Sequence, residues 1–157
     1  MKAISIGELL SSHPLLSGLP AADIETVAGC ARNVIIKPGD MLLAEGQRAD
    51  SLYLVRYGIV SIEIHSPGVG SIVIDTVGPG GVVGWSWLFP PYRYHFDARA
   101  VEVVRAVAFD ATCLRDKAET DEQLGHLLYK RVAEVLLERL QMTRVRLLDL
   151  YGSKSVR

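Results

Sequence analysis

Cysteine is scarce in this chain: Cys30 and Cys113 are its two thiols, far apart and in no CxxC arrangement. Two thiols are too few for an iron–sulfur cluster. Their spacing argues against a disulfide framework or a zinc site, and their scarcity fits a reducing, cytoplasmic compartment. Surplus charge is missing too. The net charge is −1, so the chain as a whole has no electrostatic reason to seek nucleic acid or a membrane surface. No apolar run approaches the roughly 18 residues of a membrane span, and the opening MKAISIGELLSS is too polar for a signal peptide. His13, His65, His95 and His126 are scattered, with no H-x-H pair, so no metal or cofactor is expected. His126 reads as a solvated helix residue rather than a haem ligand. No Ser-His-Asp or Cys-His spacing stands out, and the Gly-Pro-Gly-Gly turn at 78–81 is followed by no Lys-Ser/Thr, which makes it a chain corner rather than a phosphate cradle. An enzyme is not expected.

A hydrophobic share of 49% over 157 residues is enough for one ordinary globular core. The expected organisation is a single domain over 1–157, with N-terminal helices in 1–32, a β region in 33–109 and C-terminal helices in 110–151. A short helix before His13-Pro14 stops there, because proline disfavours helical geometry in the residue before it. LPAADIETVAGCAR restarts a helix, with Leu19, Ile24, Val27 and Ala28 on one face. From Asn33 the period changes to two. Short apolar runs (Val34–Ile36, Met41–Leu43, Leu52–Val55, Ile59–His65, Ile72–Val77, then two more across 96–109) alternate with Gly/Pro turns. That spacing predicts a sandwich, jelly roll or barrel. Asp110 is placed to cap a helix over 111–118, and Thr120-x-x-Gln123 reads as a capping box opening a longer helix to about Leu150, with Gly125 as its soft spot and Gly152-Ser153-Lys154 as its end.

Within the β region, residues 78–100 are distinctive. They hold six of the eleven aromatics: Trp85, Trp87, Phe89, Tyr92, Tyr94 and Phe96. Two readings are open. In one, Trp85, Trp87, Tyr94 and Phe96 wall a pocket in which Ser86, Arg93 and His95 orient a small ligand. In the other, the indoles fill the pocket themselves and become core.

The long helix carries two apolar stripes. Tyr129, Ala133, Leu136, Leu140, Thr143, Leu147 and Leu150 repeat at four and three, a period of 3.5 that favours pairing with a second helix. Leu124, Leu128, Val132 and Val135 lie beside them in the N-terminal half. The second stripe is expected to cover the β domain and the first to meet the same helix of a twin chain. A single broad intramolecular contact is the alternative.

Three glycine corners and a Leu-Tyr strand carry a resemblance. Gly39-Asp40-Met41-Leu42-Leu43-Ala44-Glu45-Gly46, then Asp50-Ser51-Leu52-Tyr53-Leu54-Val55, then Gly58 and Val60-Ser61-Ile62 are similar to the front half of cyclic-nucleotide-binding domains. These are the sensory modules of catabolite-activator and FNR-type regulators, and they also occur in gated channels and kinases. The resemblance covers most of the chain. It implies a double-stranded β-helix (a jelly-roll or β-roll of about eight strands) with short N-terminal helices and a long C-terminal helix.

The family's phosphate cassette, roughly Phe-Gly-Glu-x-Ala-Leu followed by Arg-x-Ala-x-Val, places a Glu on the ribose and an Arg on the phosphate. Here Val83-Gly84-Trp85-Ser86-Trp87-Leu88 puts Trp85 at the Glu position. Setting the second part on Ala98 and Ala100 puts Phe96 at the Arg position and Asp97 beside it, with the loop longer by two residues. Asp97 near a phosphate is unfavourable: like unit charges ~4 Å apart repel by about 4 kcal/mol at an effective dielectric near 20.

The implied ligand-binding set is Val83, Gly84, Trp85, Ser86, Trp87, Leu88, Arg93, Tyr94, Phe96, Asp97 and Ala98. The expectation is a stand-alone regulatory module that dimerises through its C-terminal helix, works with a protein partner, and binds a non-nucleotide small ligand or none. Genuine cyclic-nucleotide binding, with Arg93 swinging in as substitute, is the alternative, and an adaptor with a vestigial pocket is a third. Arg99 ranks below Arg93, since alternation puts it on the face opposite Ala98 and Ala100. The sequence runs only a few residues past the long helix to Arg157, so no helix-turn-helix and no DNA contact are expected. Arg144, Arg146, Lys154 and Arg157 read as a solvated face.

Overall fold

The computed structural model describes residues 3–152. Helices α1 (Ile6–Ser12) and α2 (Ala21–Ala28) precede eight strands: β1 (Ala31–Ile36), β2 (Met41–Leu43), β3 (Ser51–Tyr57), β4 (Val60–Ser66), β5 (Gly70–Val77), β6 (Val82–Val83), β7 (Asp97–Ala100) and β8 (Val104–Asp110). A 3-10 turn, Ser86–Leu88, lies between β6 and β7, and α3 (Ala111–Thr120) and α4 (Glu122–Gly152) close the order. The strands form two four-stranded antiparallel sheets, β1-β8-β3-β6 and β2-β7-β4-β5. This is the expected roll, with the expected number of strands.

The period-two pattern works because each sheet turns one face inward. Val60, Ile62, Ala98 and Ala100 are buried on the second sheet; Leu52, Leu54, Val107 and Phe109 on the first. On β4, Ser61 and Glu63 are buried as well, on the opposite side. Arg99 crosses them there: its Nε donates to Glu63 Oε2 at 3.2 Å, and the Ser61 hydroxyl donates to the Arg99 carbonyl. Arg99 therefore faces away from Ala98 and Ala100, as alternation requires.

The helices cover the other end. Leu15, Leu16, Val27, Leu52, Trp87, Phe109, Leu114, Leu128 and Val132 surround a small void, so α2, α3 and the first half of α4 share one core with the first sheet. Asp110 caps α3 as its sequence position predicts, accepting from the Cys113 N–H at 2.8 Å. The cap of α4 is a correction. Thr120 ends α3, its hydroxyl donating to the Asp116 carbonyl at 2.8 Å. Asp121 takes the capping role instead, accepting from the Leu124 N–H at 3.1 Å. The Thr120 hydroxyl is already committed to carbonyls of its own helix, which leaves the Asp121 carboxylate to take that N–H. Gly125 is no soft spot either. It is buried at the α3–α4 elbow, where an added Cβ would collide with the Ala118 carbonyl.

The cysteines are a second correction: Cys30 and Cys113 form a disulfide, with Cα atoms 5.6 Å apart and 83 residues of separation. Topology hides this from sequence spacing. β1 pairs with β8 in the register Ala31↔Phe109, which sets residue 30 beside residue 110, and the first turn of α3 brings Cys113 back over it. The pairing removes the thiol argument for a reducing compartment. Among the described residues, no helix is long and apolar enough to cross a membrane. The predicted helix end at Ser153-Lys154 and the charges Lys154 and Arg157 lie outside the described residues.

Candidate functional site

A cavity of about 500 Å³ lies between the roll and the C-terminal half of α4. Its floor is Leu43 and Ile62 from the second sheet, its back wall Val82 to Ser86, and its rim Tyr94 to Phe96. Ile74 and Asp75 of β5 close one side, and Arg139, Thr143, Arg146, Leu147 and Leu150 of α4 form the roof. A second groove of about 550 Å³ runs along the other flank of α4, between residues 75–82 and Arg131, Glu134 and Glu138, and shares Asp75, Val82, Arg139, Thr143 and Arg146. The first cavity joins aromatic residues of segment 78–100 to the helix.

Gly84 sets the back wall. Its φ is +94°, a region that a side chain rarely adopts, and an added Cβ would sit 3.0 Å from the Ser51 carbonyl oxygen. Tyr94 is fixed from below: its hydroxyl donates to the Ser51 carbonyl (2.8 Å) and accepts from the Ser51 N–H (3.0 Å). Burial, above all, pushes its pKa up to about 12, so it stays a neutral phenol that ties the rim to β3.

The sequence-predicted residues divide. Val83, Gly84, Trp85, Ser86, Tyr94 and Phe96 line the cavity, and His95 lines it with them. Trp87 does not. It is 1% exposed and packs into the helical core, where its indole N–H forms no hydrogen bond among the described residues. Leu88 is half-buried and away from the lining. Arg93 is exposed and donates to the Gly46 carbonyl at 3.0 Å, outside the cavity. The Asp97 carboxylate accepts from the Glu45 N–H at 2.7 Å, and Ala98 is fully buried behind Ile62 in the β7–β4 register. The segment between these residues contains a cis Pro90–Pro91 bond. It is held by Arg115 of α3, which donates to the Trp87 carbonyl and stacks over the Tyr92 ring at 4.2 Å.

Sequence reasoning missed the helix side. Arg139 donates to the Val82 carbonyl (3.1 Å), pairs with Asp75 Oδ2 (3.5 Å) and lies 4.7 Å over the Trp85 ring. Arg146 pairs with Asp75 Oδ1 at 2.8 Å. Burial pushes the Arg139 pKa down; Asp75 and Glu138 pull it back up, and Arg146 lowers it further. An arginine remains a cation through such shifts. A signal was available. The stripe Leu124, Leu128, Val132, Val135 does not stop at 135; at the same three-and-four spacing it continues through Arg139, Met142 or Thr143, and Arg146. It turns cationic where it leaves the core and crosses the cavity.

The expected pairing seam also splits. Tyr129, Ala133 and Leu140 are exposed and Leu136 is half-buried, whereas Thr143 and Leu147 face the cavity. Other apolar residues exposed on α4 include Leu137, Val145 and Leu148, the last 70% exposed.

The sequence profile of the cyclic nucleotide-binding domain matches residues 34–121. The chain is 29% identical over 129 residues to the CRP-like cAMP-activated global transcriptional regulator of Mycobacterium tuberculosis, a match covering 80% of this chain and 58% of that protein. The chain thus spans little more than half the length of this curated relative. Among solved structures, a Geobacter metallireducens GS-15 protein provisionally described as cyclic nucleotide-binding is 30% identical, with a TM-score of 0.78, covering 88% of this chain and 99% of that one. A cyclic nucleotide-binding domain from Methylobacillus flagellatus KT superposes with a TM-score of 0.77 at 19% identity, over 92% of this chain and 82% of that one. The N-terminal domain of a Streptomyces coelicolor A3(2) transcriptional regulator gives 0.66 at 26% identity, over 89% and 95%.

Proposed function

The chain belongs to the cyclic nucleotide-binding domain family, and on that premise we propose that it is a non-enzymatic sensory module whose cavity takes a small non-nucleotide ligand and whose output is the position of α4. One observation carries this reading: the roof of the cavity is the same helix segment that turns an exposed apolar face to the outside. An occupant touching Trp85 and Phe96 below also touches Thr143 and Leu147 above. It therefore has a differential interaction with two positions of the helix, which is what a population shift requires.

The case against a nucleotide rests on the cassette. Trp85 stands where the family holds a ribose with Glu, and Arg93 is spent on the Gly46 carbonyl. The open volume beside Trp85 favours an occupied site over one filled by its own indoles. The outer face of α4, including Tyr129, Ala133 and Leu140, is expected to meet a second copy, and a protein partner would read the helix from there. The same reading expects a cytoplasmic module, an expectation that rests on the regulatory role and not on the thiols, which are paired.

Titration with cyclic AMP and cyclic GMP, followed by tryptophan fluorescence, tests the ligand class, because Trp85 lines the cavity. Neither nucleotide is expected to give a saturable change. Saturable binding of either nucleotide would replace this reading with nucleotide sensing, through a rearranged loop if Arg93→Ala abolishes it and through the helix arginines if it does not.

A further inference from the structure

The cavity holds an unbalanced charge, and its source is the roof. Apart from His95, its charged lining is Asp75, Arg139 and Arg146. In the lining itself that is two guanidiniums against one carboxylate, with Glu138 acting on Arg139 from the neighbouring groove. Asp75 is shared between them, one oxygen to each, at 3.5 Å from Arg139 and 2.8 Å from Arg146. The two arginines are seven residues apart, two turns of one helix, so both project toward the same spot on β5. Nothing from the cassette adds to this charge, since Arg93 lies outside and Asp97 is bound to the Glu45 N–H. The remaining walls are apolar: Leu43, Ile62, Val82, Val83 and Phe96, with the Trp85 ring beneath Arg139.

Resting on the reading of this cavity as a ligand site, we infer that its occupant is an organic anion with a flat or branched apolar body, whose anionic group is held between Arg139 and Arg146 in competition with Asp75. A guanidinium offers paired N–H donors that match carboxylate and phosphate oxygens. Asp75 is divided between two guanidiniums, so an incoming anion adds charge-assisted hydrogen bonds to both where a neutral ligand does not. The apolar body takes the volume under the helix and displaces water from Ile62, Val83 and Phe96. Asp75 is then a stand-in: with the cavity empty it holds both arginines, and the ligand's anion takes over part of that role. Carboxylates and phosphate monoesters share this chemistry.

Isothermal titration calorimetry on the intact chain separates the cases with four probes: 2-naphthoate, 2-naphthyl phosphate, neutral 2-naphthylmethanol and inorganic phosphate. Both naphthyl anions are expected to bind at least about tenfold more tightly than the alcohol, with inorganic phosphate weaker than either. The tighter of the two anions names the head group. Arg146→Gln, at the more exposed of the two arginines, should reduce the anions to the level of the alcohol and leave the alcohol unchanged. Arg139→Gln should do the same if it folds. Asp75→Asn should tighten the anions and not the alcohol, a gain that a merely structural latch would not give. Equal binding of alcohol and anions, or an unchanged ratio in Arg146→Gln, overturns the charge inference and leaves the ligand cavity standing. If no naphthyl compound binds, the cavity reading falls and this inference with it.

Discussion

His13 is 5% exposed at the end of α1, and its Nδ1 accepts a hydrogen bond from the Leu15 N–H at 3.2 Å. An accepting nitrogen carries no proton, so the buried ring is neutral. Burial pushes its pKa below the ordinary 6.5; the nearby backbone of Gly81 and Val55 opposes the shift in part, although Nε2 makes no well-formed hydrogen bond. The unfolded chain therefore binds this proton more readily than the native one. Stability from His13 is complete above about pH 6.5 and declines as the pH falls below that value. Urea midpoints measured at pH 7.5 and 5.5 should drop on acidification. His13→Asn, which can still accept from Leu15, should flatten this part of the slope; an unchanged slope would remove His13 as its source. Trp87 makes a different case. It looked like a pocket wall and is core, so Trp87→Ala should cost about 3–5 kcal/mol in chemical denaturation and leave ligand affinity near wild type in the fraction that stays folded. The cassette pattern places Trp85 and Trp87 two residues apart and says nothing of the 3-10 turn Ser86–Leu88 that points them to different layers. Arg93 was misleading for a similar reason: its nearest acceptor, the Gly46 carbonyl, lies 47 residues away in sequence.

Elements were more legible than contacts. Strand periodicity, the Asp110 cap and the buried stripe of α4 depend on neighbours two to four residues away, and sequence shows these directly. The Cys30–Cys113 bridge depends on the β1–β8 register, which sequence does not show. Two predictions belong to these joints. Gly125→Ala gains about 1 kcal/mol of helix propensity, but the new methyl meets the Ala118 carbonyl, a backbone atom that cannot rotate aside. Overpacking of this kind costs about 1–3 kcal/mol, so net destabilisation is expected, and a raised melting temperature would show that the elbow has room. Opening the disulfide with Cys30→Ser should cost about 4.5 kcal/mol for a loop of this length on the chain-entropy model. It should also loosen the cassette, because α3 carries both Cys113 and the Arg115 that grips the Trp87 carbonyl. Denaturant midpoints with and without dithiothreitol measure the first effect.

As a whole, the molecule is a roll with a long lever. At about 1.5 Å per residue, the 31 residues of α4 extend roughly 46 Å. Its first half is cemented into the core by Leu124, Leu128 and Val132, while its second half meets the roll at the cavity through Arg139 and Arg146 and exposes Leu137, Leu140, Val145 and Leu148. A second copy is the expected cover for that face. Sedimentation equilibrium at micromolar concentration should give a dimer, weakened at least tenfold by Leu140→Asp; a monomer throughout would leave the face to another protein. The two arginine pairs tie the second half to β5 through one carboxylate, and on the proposed reading an occupant of the cavity acts on the helix through them. Amide hydrogen exchange over residues 136–152, with and without saturating 2-naphthoate, tests that coupling most directly. Binding should slow exchange there and leave residues 124–132, anchored in the core by Leu124, Leu128 and Val132, unchanged. Saturation by calorimetry with no change in exchange over 136–152 would mean that the cavity and the helix are not coupled.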